Sequence, residues 1–355
     1  MRSVRALAAA LTLTVVATGC STMGDPGGSS SSTSGGTPTQ VVLVTHDSFA
    51  LPKHLIKRFE SESGYDLVVR ASGDGGQLTN KLVLTKDDPT GDVAFGVDNT
   101  FASRALDEGV FAPYAAKLPA GAASYELPGD AQHRLTPVDN GNVCVNVDTT
   151  WFTRHRLAPP RTLDDLTDPR YRDLFVLPGA ATSSTGMAFL LATVARYGDS
   201  WPGYWKKLMA NGAELTSGWD DAYEVDFTQG GGGGDRPIVL SYDSSPAFTV
   251  AQGSSTSTTR ALLDTCFRQV EYAGVLHGAR NTKGAEELVD FLLTPRAQAA
   301  LPESMYVFPV ASGTRLPAEW ASFAQQPSHP YSVDPAEVAR NRDTWLREWS
   351  DVTSR

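Results

Sequence analysis

The sequence carries few of the signals used in covalent or metal chemistry. It has no GxSxG elbow, no HExxH, no GxxxxGK[ST] and no GxGxxG, even in the five-glycine run at 230–234. Nucleophile-elbow hydrolysis, a zincin helix, a phosphate loop and a dinucleotide fold are therefore not signalled. The 6 histidines are scattered, and the 3 cysteines form no CxxC and no Cys/His cluster, which argues against structural zinc. Acid pairs such as Asp164-Asp165 and Asp220-Asp221 sit at helix starts and read as caps and solvated faces rather than catalytic dyads. Positive charge is short: 30 Lys and Arg stand against 40 Asp and Glu, a net charge of -10. That balance argues against nucleic acid or an anionic membrane surface as partner and permits a cationic ligand. Core material is not lacking, since 41% of residues are hydrophobic and 9% aromatic. A chain of 355 residues exceeds one comfortable core, so two domains or lobes are expected.

At the N-terminus, Arg2 and Arg5 precede an apolar run from Ala6 to Ala17, followed by Thr18-Gly19-Cys20. The run, about a dozen residues, is too short to span a bilayer as a helix. The segment resembles a bacterial lipoprotein signal, with Ala17 where leucine is usual. The resemblance implies that residues 1–19 are a signal peptide and that Cys20 is lipidated, anchoring the protein to the outer face of the cell membrane. Residues 20–39 are mostly Ser, Thr, Gly and Pro, the composition of a flexible tether. An exported protein meets oxidising conditions, so Cys144 and Cys266 are candidates for a disulfide.

Gln40 to Val44 alternates as a strand and runs into His46-Asp47-Ser48-Phe49; Leu55 to Ser61 reads as an amphipathic helix and Leu67 to Arg70 as the next strand. Ser72-Gly73-Asp74-Gly75-Gly76 lets backbone approach a ligand closely. A helical stretch from Leu78 to Leu84, a strand from Asp92 to Val97 ending in Asp98-Asn99, and a helix from Phe101 to Glu108 follow. Alternating βαβ units predict a mainly parallel sheet covered on both faces. Loops after successive parallel strands fall on one edge, so His46, Asp47, Asp74, Gly75 and Asp98 are expected at one crevice. Turn chemistry uses the same residue types, and it is their coincidence that carries the expectation.

Beyond the alternation of Leu135 to Val147, a second block begins. It holds a strand at 174–177, a hydroxyl-rich loop containing Ser183, Ser184, Thr185 and Gly186, and a helix from Met187 to Tyr197. Hydroxyls and free N–H groups at a helix start suit an anion or a plain N-cap equally well. Phe267 to Leu276 alternates as a strand, Glu286 to Leu301 is helical with Pro295 marking a boundary between two helices, and Met305 to Val310 is extended. Asp334 and Pro335 open a last helix. The order gives two α/β lobes, 40–139 with 275–355 and 140–274, joined by crossings near 138–147 and 266–276. If the crossing strands pair, a Cys144–Cys266 disulfide staples the hinge.

The stretch from Asn211 to Phe248 is the densest in candidate ligand contacts. Ile238 to Leu240 reads as a buried strand emptying into Ser241-Tyr242-Asp243-Ser244-Ser245-Pro246-Ala247-Phe248, which places Tyr242, Ser244 and Phe248 where a ligand would be met, with Ser245 beside them. Trp219 and Tyr223, four apart, share a face if their segment is helical.

Taken in order, the blocks His46-Asp47-Ser48-Phe49, Asp74-Gly75, Gly96-Val97-Asp98-Asn99, Thr182 to Gly186, Gly218 to Tyr223, Leu240 to Tyr242 with Ser245 to Phe248, and Phe308-Pro309-Val310 resemble the periplasmic-type solute-binding proteins of ABC importers. Within these, the chain is similar to the thiamine-binding proteins, including actinobacterial lipoprotein members, over about residues 40 to 350. The resemblance implies a bilobed periplasmic-binding-protein-like fold of two mainly parallel-sheet α/β lobes with a two-strand hinge. It also implies a monomer without cofactor or metal that captures thiamine or a thiamine phosphate for a membrane permease. In the family, the positions of Asp74 and Gly75 meet the aminopyrimidine, those of Trp219 and Tyr242 line the ring pocket, and that of Ser183 to Gly186 holds the hydroxyethyl or phosphate end. His46 and Phe248 stand where Tyr is common, and Tyr306 where Trp is; Asn140 and Asn142 stand where aromatics are frequent.

Ferric-iron binders of the same fold class usually carry a tandem tyrosine pair, and no Tyr-Tyr occurs here. An exported enzyme would turn its ligand over. An adhesive lipoprotein would use these aromatics as core alone.

Overall fold

The computed structural model describes residues 40–250 and 254–354. The signal peptide, the tether and Cys20 lie outside the described residues. No helix among the described residues is long and apolar enough to cross a membrane.

The first half runs β1 (Gln40–Thr45), α1 (Lys53–Ser63), β2 (Asp66–Ala71), α2 (Gly75–Leu84), β3 (Val93–Asp98) and α3 (Ala102–Asp107). Then come β4 (Thr136–Asp148), α4 (Thr149–His155), β5 (Phe175–Pro178), α5 (Ser184–Tyr197), α6 (Trp201–Ala210), β6 (Glu214–Thr216), β7 (Ile238–Tyr242), α7 (Ser245–Phe248) and β8 (Thr259–Ala261). The chain ends with β9 (Phe267–Val275), α8 (Thr282–Leu292), α9 (Pro295–Ser304), β10 (Phe308–Pro309), α10 (Ala318–Phe323) and α11 (Pro335–Thr353).

The ten strands among the described residues join one sheet in the order β2-β1-β3-β9-β4-β7-β5-β6, with β8 and β10 also on β4. The outer parts are parallel, β1 with β2 and β3, and β5 with β6 and β7. The middle is antiparallel, where β9 pairs with β3 and β4, and β4 with β7. The expectation of mainly parallel lobes therefore holds for the outer strands, and β4 with β9 forms the crossing between them. Cys144 and Cys266 are bonded beside this pair, 122 residues apart in sequence.

β4 is buried along all 13 residues. A strand covered on both faces would ordinarily be apolar, yet this one carries Asp139, Asn140, Asn142 and Asn146. The asparagines are tolerated there through their amide bonds: Asn142 Nδ2 donates to Asp243 Oδ2 at 2.6 Å, Asn140 to the Phe308 carbonyl at 3.2 Å, and Asn146 to the Tyr242 carbonyl at 3.0 Å.

Each half packs its own apolar core. Val41, Leu43, Phe59, Phe95, Leu288 and Val289 fill the first; Phe175, Phe189, Leu190, Trp205, Ile238 and Leu240 fill the second. One boundary differs from the sequence order. α11 packs into the second core, where Trp349 meets Trp205 edge-on at 5.7 Å, so the final helix does not share a core with the rest of 275–355. Helix starts follow the expected chemistry: Asp334 caps α11 with Pro335 in its first turn, and Thr294 caps α9 ahead of Pro295.

Candidate functional site

A cavity opens where the loops after β1, before α2, after β7 and after α9 meet. It is lined by His46, Ser48, Asp74, Gly75, Ser184, Thr185, Trp219, Tyr223, Glu224, Tyr242, Ser245, Phe248, Glu271, Met305, Tyr306 and Val307, and spans about 730 Å³ with its mouth included.

One wall is a stack of rings. The chain from Asp221 to Asp226 winds as a single wide turn in which Phe227 N donates to the Ala222 carbonyl, an i to i+5 pattern frequent at functional sites. This turn lays Trp219 on Tyr223 with ring centres 4.9 Å apart and planes 11° apart. Trp219 Nε1 donates to Ser241 Oγ at 2.9 Å, which fixes the indole. The glycine run explains the turn's seat: Cβ atoms at Gly230, Gly232 and Gly234 would each run into the backbone of residues 223–226. Phe248 and Tyr306 meet at 4.5 Å and 68°, and Phe248 is 44% exposed, which puts this pair at the rim. Tyr306 has a φ of 57°, a conformation uncommon outside glycine, and the Ser244 hydroxyl holds its carbonyl at 2.5 Å.

Asp74 joins the two halves. It caps α2 in a reciprocal box with Gln77, accepts Trp219 N–H at 2.8 Å, and accepts Ser184 N–H at 3.3 Å from the first turn of α5. Two helix N-termini thus meet one carboxylate, which suits their positive ends. Gly75 permits the approach, because a Cβ there would strike Ser184 Oγ. Burial raises the Asp74 pKa, against the opposing pull of the Trp219, Ser183 and Gly75 bonds. Ser48 Oγ donates to Asp220 at 2.6 Å, and Gln77 N–H to the Thr182 carbonyl at 3.0 Å, so the halves touch on both sides of the cavity.

The floor is ionic. His46 Nε2 lies 3.3 Å from Glu271 Oε1. Gly96, with φ +98°, leaves room for this ring, since a Cβ there would collide with it. Asp139 is paired directly with Glu271 across β4 and β9 and hydrogen-bonds its side chain. Burial and then the Glu271 charge push the Asp139 carboxyl far above the usual range. Burial would raise Glu271 too, but His46 and the bond from Asp139 bring it below its ordinary value. For His46 burial works downward, and Glu271, Asp74 and Asp220 overcome it, leaving a raised pKa. These directions favour a proton on Asp139, negative charge on Glu271 and protonation of His46.

Most residues expected from the sequence come together here: His46, Asp74, Gly75, Ser184, Thr185, Trp219, Tyr223, Tyr242, Ser245, Phe248 and Tyr306 line the cavity. Four stand behind it. Asp47 accepts Gly73 N–H at 2.9 Å and ties the loop after β1 to the loop after β2. Asp98 is fully buried, bonded to Thr100 and the Phe101 N–H, and pushed up to about 7 chiefly by burial. Ser183 caps α5. Gly186 presses on the Pro178 and Gly179 carbonyls and leaves no side chain to present. Sequence reasoning missed Glu224, Glu271, Met305 and Val307. A charged residue inside the alternating stretch 267–276 was the available signal for Glu271, because such a residue is costly to bury without purpose.

Among the described residues, no group of three or more His, Cys, Asp or Glu is arranged to hold a metal ion. The cavity offers flat apolar faces, hydroxyls and negative charge.

The family profile for bacterial extracellular solute-binding proteins matches residues 88–328. The thiamine-binding periplasmic protein of Escherichia coli (strain K12) is 30% identical over 323 residues, covering 89% of this chain and 94% of that protein. A solved periplasmic thiamin binding protein superposes with a TM-score of 0.77 at 28% identity, over 89% of this chain and 96% of the other. Iron-bound HitA from Pseudomonas aeruginosa, at 17% identity and a TM-score of 0.65 over 88% of this chain and 99% of its own, shares the fold.

Proposed function

Because the chain belongs to the bacterial extracellular solute-binding protein family, we propose that it captures thiamine, free or phosphorylated, between two lobes and delivers it to the permease of an ABC importer. One observation carries this reading. The cavity combines the rings of Trp219, Tyr223, Tyr242, Phe248 and Tyr306 with the carboxylates of Asp74, Glu224 and Glu271, and neither lysine nor arginine lines it. A flat, permanently cationic thiazolium fits that lining, since aromatic faces attract cations by up to about 2 kcal/mol when desolvated. The names of the E. coli relative and of the solved thiamin binding protein support the same ligand.

In the proposed pose the thiazolium lies against Trp219 and Tyr242. The aminopyrimidine reaches Asp74 and Gly75, where the carboxylate accepts from its exocyclic amine. The hydroxyethyl end faces Ser184 and Thr185; the Ser184 hydroxyl is buried and has no partner in the protein. We assign residues 40–139 and 275–334 to one lobe, and 140–274 with α11 to the other. β4 and β9 act as the hinge, and ligand favours closure by its differential affinity for the closed form. The protein acts as a monomer anchored through lipid on Cys20.

The test is calorimetric titration with thiamine, thiamine monophosphate, thiamine diphosphate and ferric citrate, after unfolding and refolding to strip carried-over ligand. Submicromolar one-to-one binding of a thiamine compound is expected, and the panel ranks the vitamers. Binding of ferric citrate without any thiamine form would overturn the assignment.

A further inference from the structure

The carboxyl pair at the hinge has no role in the pose above. Asp139 and Glu271 face each other across β4 and β9, 0% and 7% exposed. Neither Asp139 oxygen has a donor in the protein, and it stands directly opposite Glu271, whose charge together with burial raises its carboxyl far above the usual range, so a proton on Asp139 lets the two acids lie together. Glu271 also faces the cavity and holds His46. Two buried acids thus stand on the hinge strands, one of them in direct view of the ligand.

We propose that this Asp139–Glu271 pair, with His46 upon it, is the cation-selecting floor of the cavity, exchanging a proton for the ligand's positive charge. The proposal rests on the thiamine reading. The groups facing the pair are His46 after β1, Asp98 at the end of β3 and Tyr242 at the end of β7, with Asp74 and Asp220 acting on His46. None is a fixed cation, and β10, paired with β4 beside Asp139, contributes only Phe308 and Pro309. A cation entering above Glu271 stabilises the ionised forms of Asp139 and Glu271 and destabilises protonated His46. Both effects drive a proton off the protein into solvent. The sign is the same for each group, so affinity rises with pH. A neutral ligand of the same shape gains nothing from the exchange, which makes the floor a discriminator of charge.

The experiment is calorimetry of thiamine chloride binding to the purified protein, in buffers of different protonation enthalpy, from about pH 6.5 to 8.5. Net proton release is expected, with affinity climbing by as much as about tenfold per pH unit for one full proton. Asp139→Asn, which removes one titrating group behind the cavity wall, is expected to bind thiamine with less proton release and a flatter pH profile. Binding without proton release, or with uptake, overturns the inference and leaves the thiamine reading standing. Absence of thiamine binding overturns both. Should Asp139→Asn fail to fold, the proton count of the unaltered protein decides alone.

Discussion

At the scale of single residues, the site depends on side chains that do two jobs. Trp219 presents a face to the cavity while its indole N–H is tied to Ser241 and its backbone N–H to Asp74. Trp219→Ala removes the face, and should weaken thiamine binding by about 2 kcal/mol, roughly thirtyfold, with a smaller change in stability, as read by paired calorimetric and urea titrations. Trp219 and Tyr223 were legible because their spacing of four matches one turn of helix. Glu271 was marked only by a charge inside an alternating strand, a signal that gains meaning once its partners Asp139 and His46, far away in sequence, are seen beside it. Asp98 and Asp47 show the converse: strand-end position placed them near the crevice, but Thr100 N–H claimed the Asp98 carboxylate for a turn and Gly73 N–H tied Asp47 to the next strand's loop. Period and position predict where a residue stands, and competition for hydrogen bonds decides where its side chain points.

At the scale of elements, strong periodicity and good punctuation were readable. Pro295 divides α8 from α9, Asp334 and Pro335 open α11, and the alternation of 267–276 became β9. α6, β6, β8 and α10 escaped notice, the strands being only 3 residues each. The glycine run was legible as flexible but not as a spacer. Its alternate members let one backbone lie against the wide turn that carries Tyr223. Gly230→Ala should displace that turn, costing about 1–3 kcal/mol of stability and weakening ligand binding. Gly203→Ala, in α6 with nothing within 4 Å of the new Cβ, is the control and should be neutral or slightly stabilising. Thermal denaturation of the two variants distinguishes a packing role for Gly230 from a general cost of replacing glycine.

At the scale of the whole molecule, the order of strands and helices sufficed for the two-lobed plan and for the crossings. The exchange of α11 into the second core was not legible, because an amphipathic helix at a chain end carries no signal of which core receives its tryptophans. The disulfide beside the crossing closes 122 residues, and for a loop of that length the chain-entropy model gives about 5 kcal/mol. Replacing Cys144 and Cys266 by serine should lower unfolding stability by about 3–5 kcal/mol, measured in urea, while added reductant leaves the variant unchanged. The central claim is that this cavity holds thiamine between the lobes, and a crystal structure at saturating thiamine tests it most directly. The prediction is a ligand with its thiazolium against Trp219 and Tyr242, its aminopyrimidine at Asp74, and Glu271 beneath it. A ligand seated elsewhere, or a cavity left empty at saturation, would contradict it.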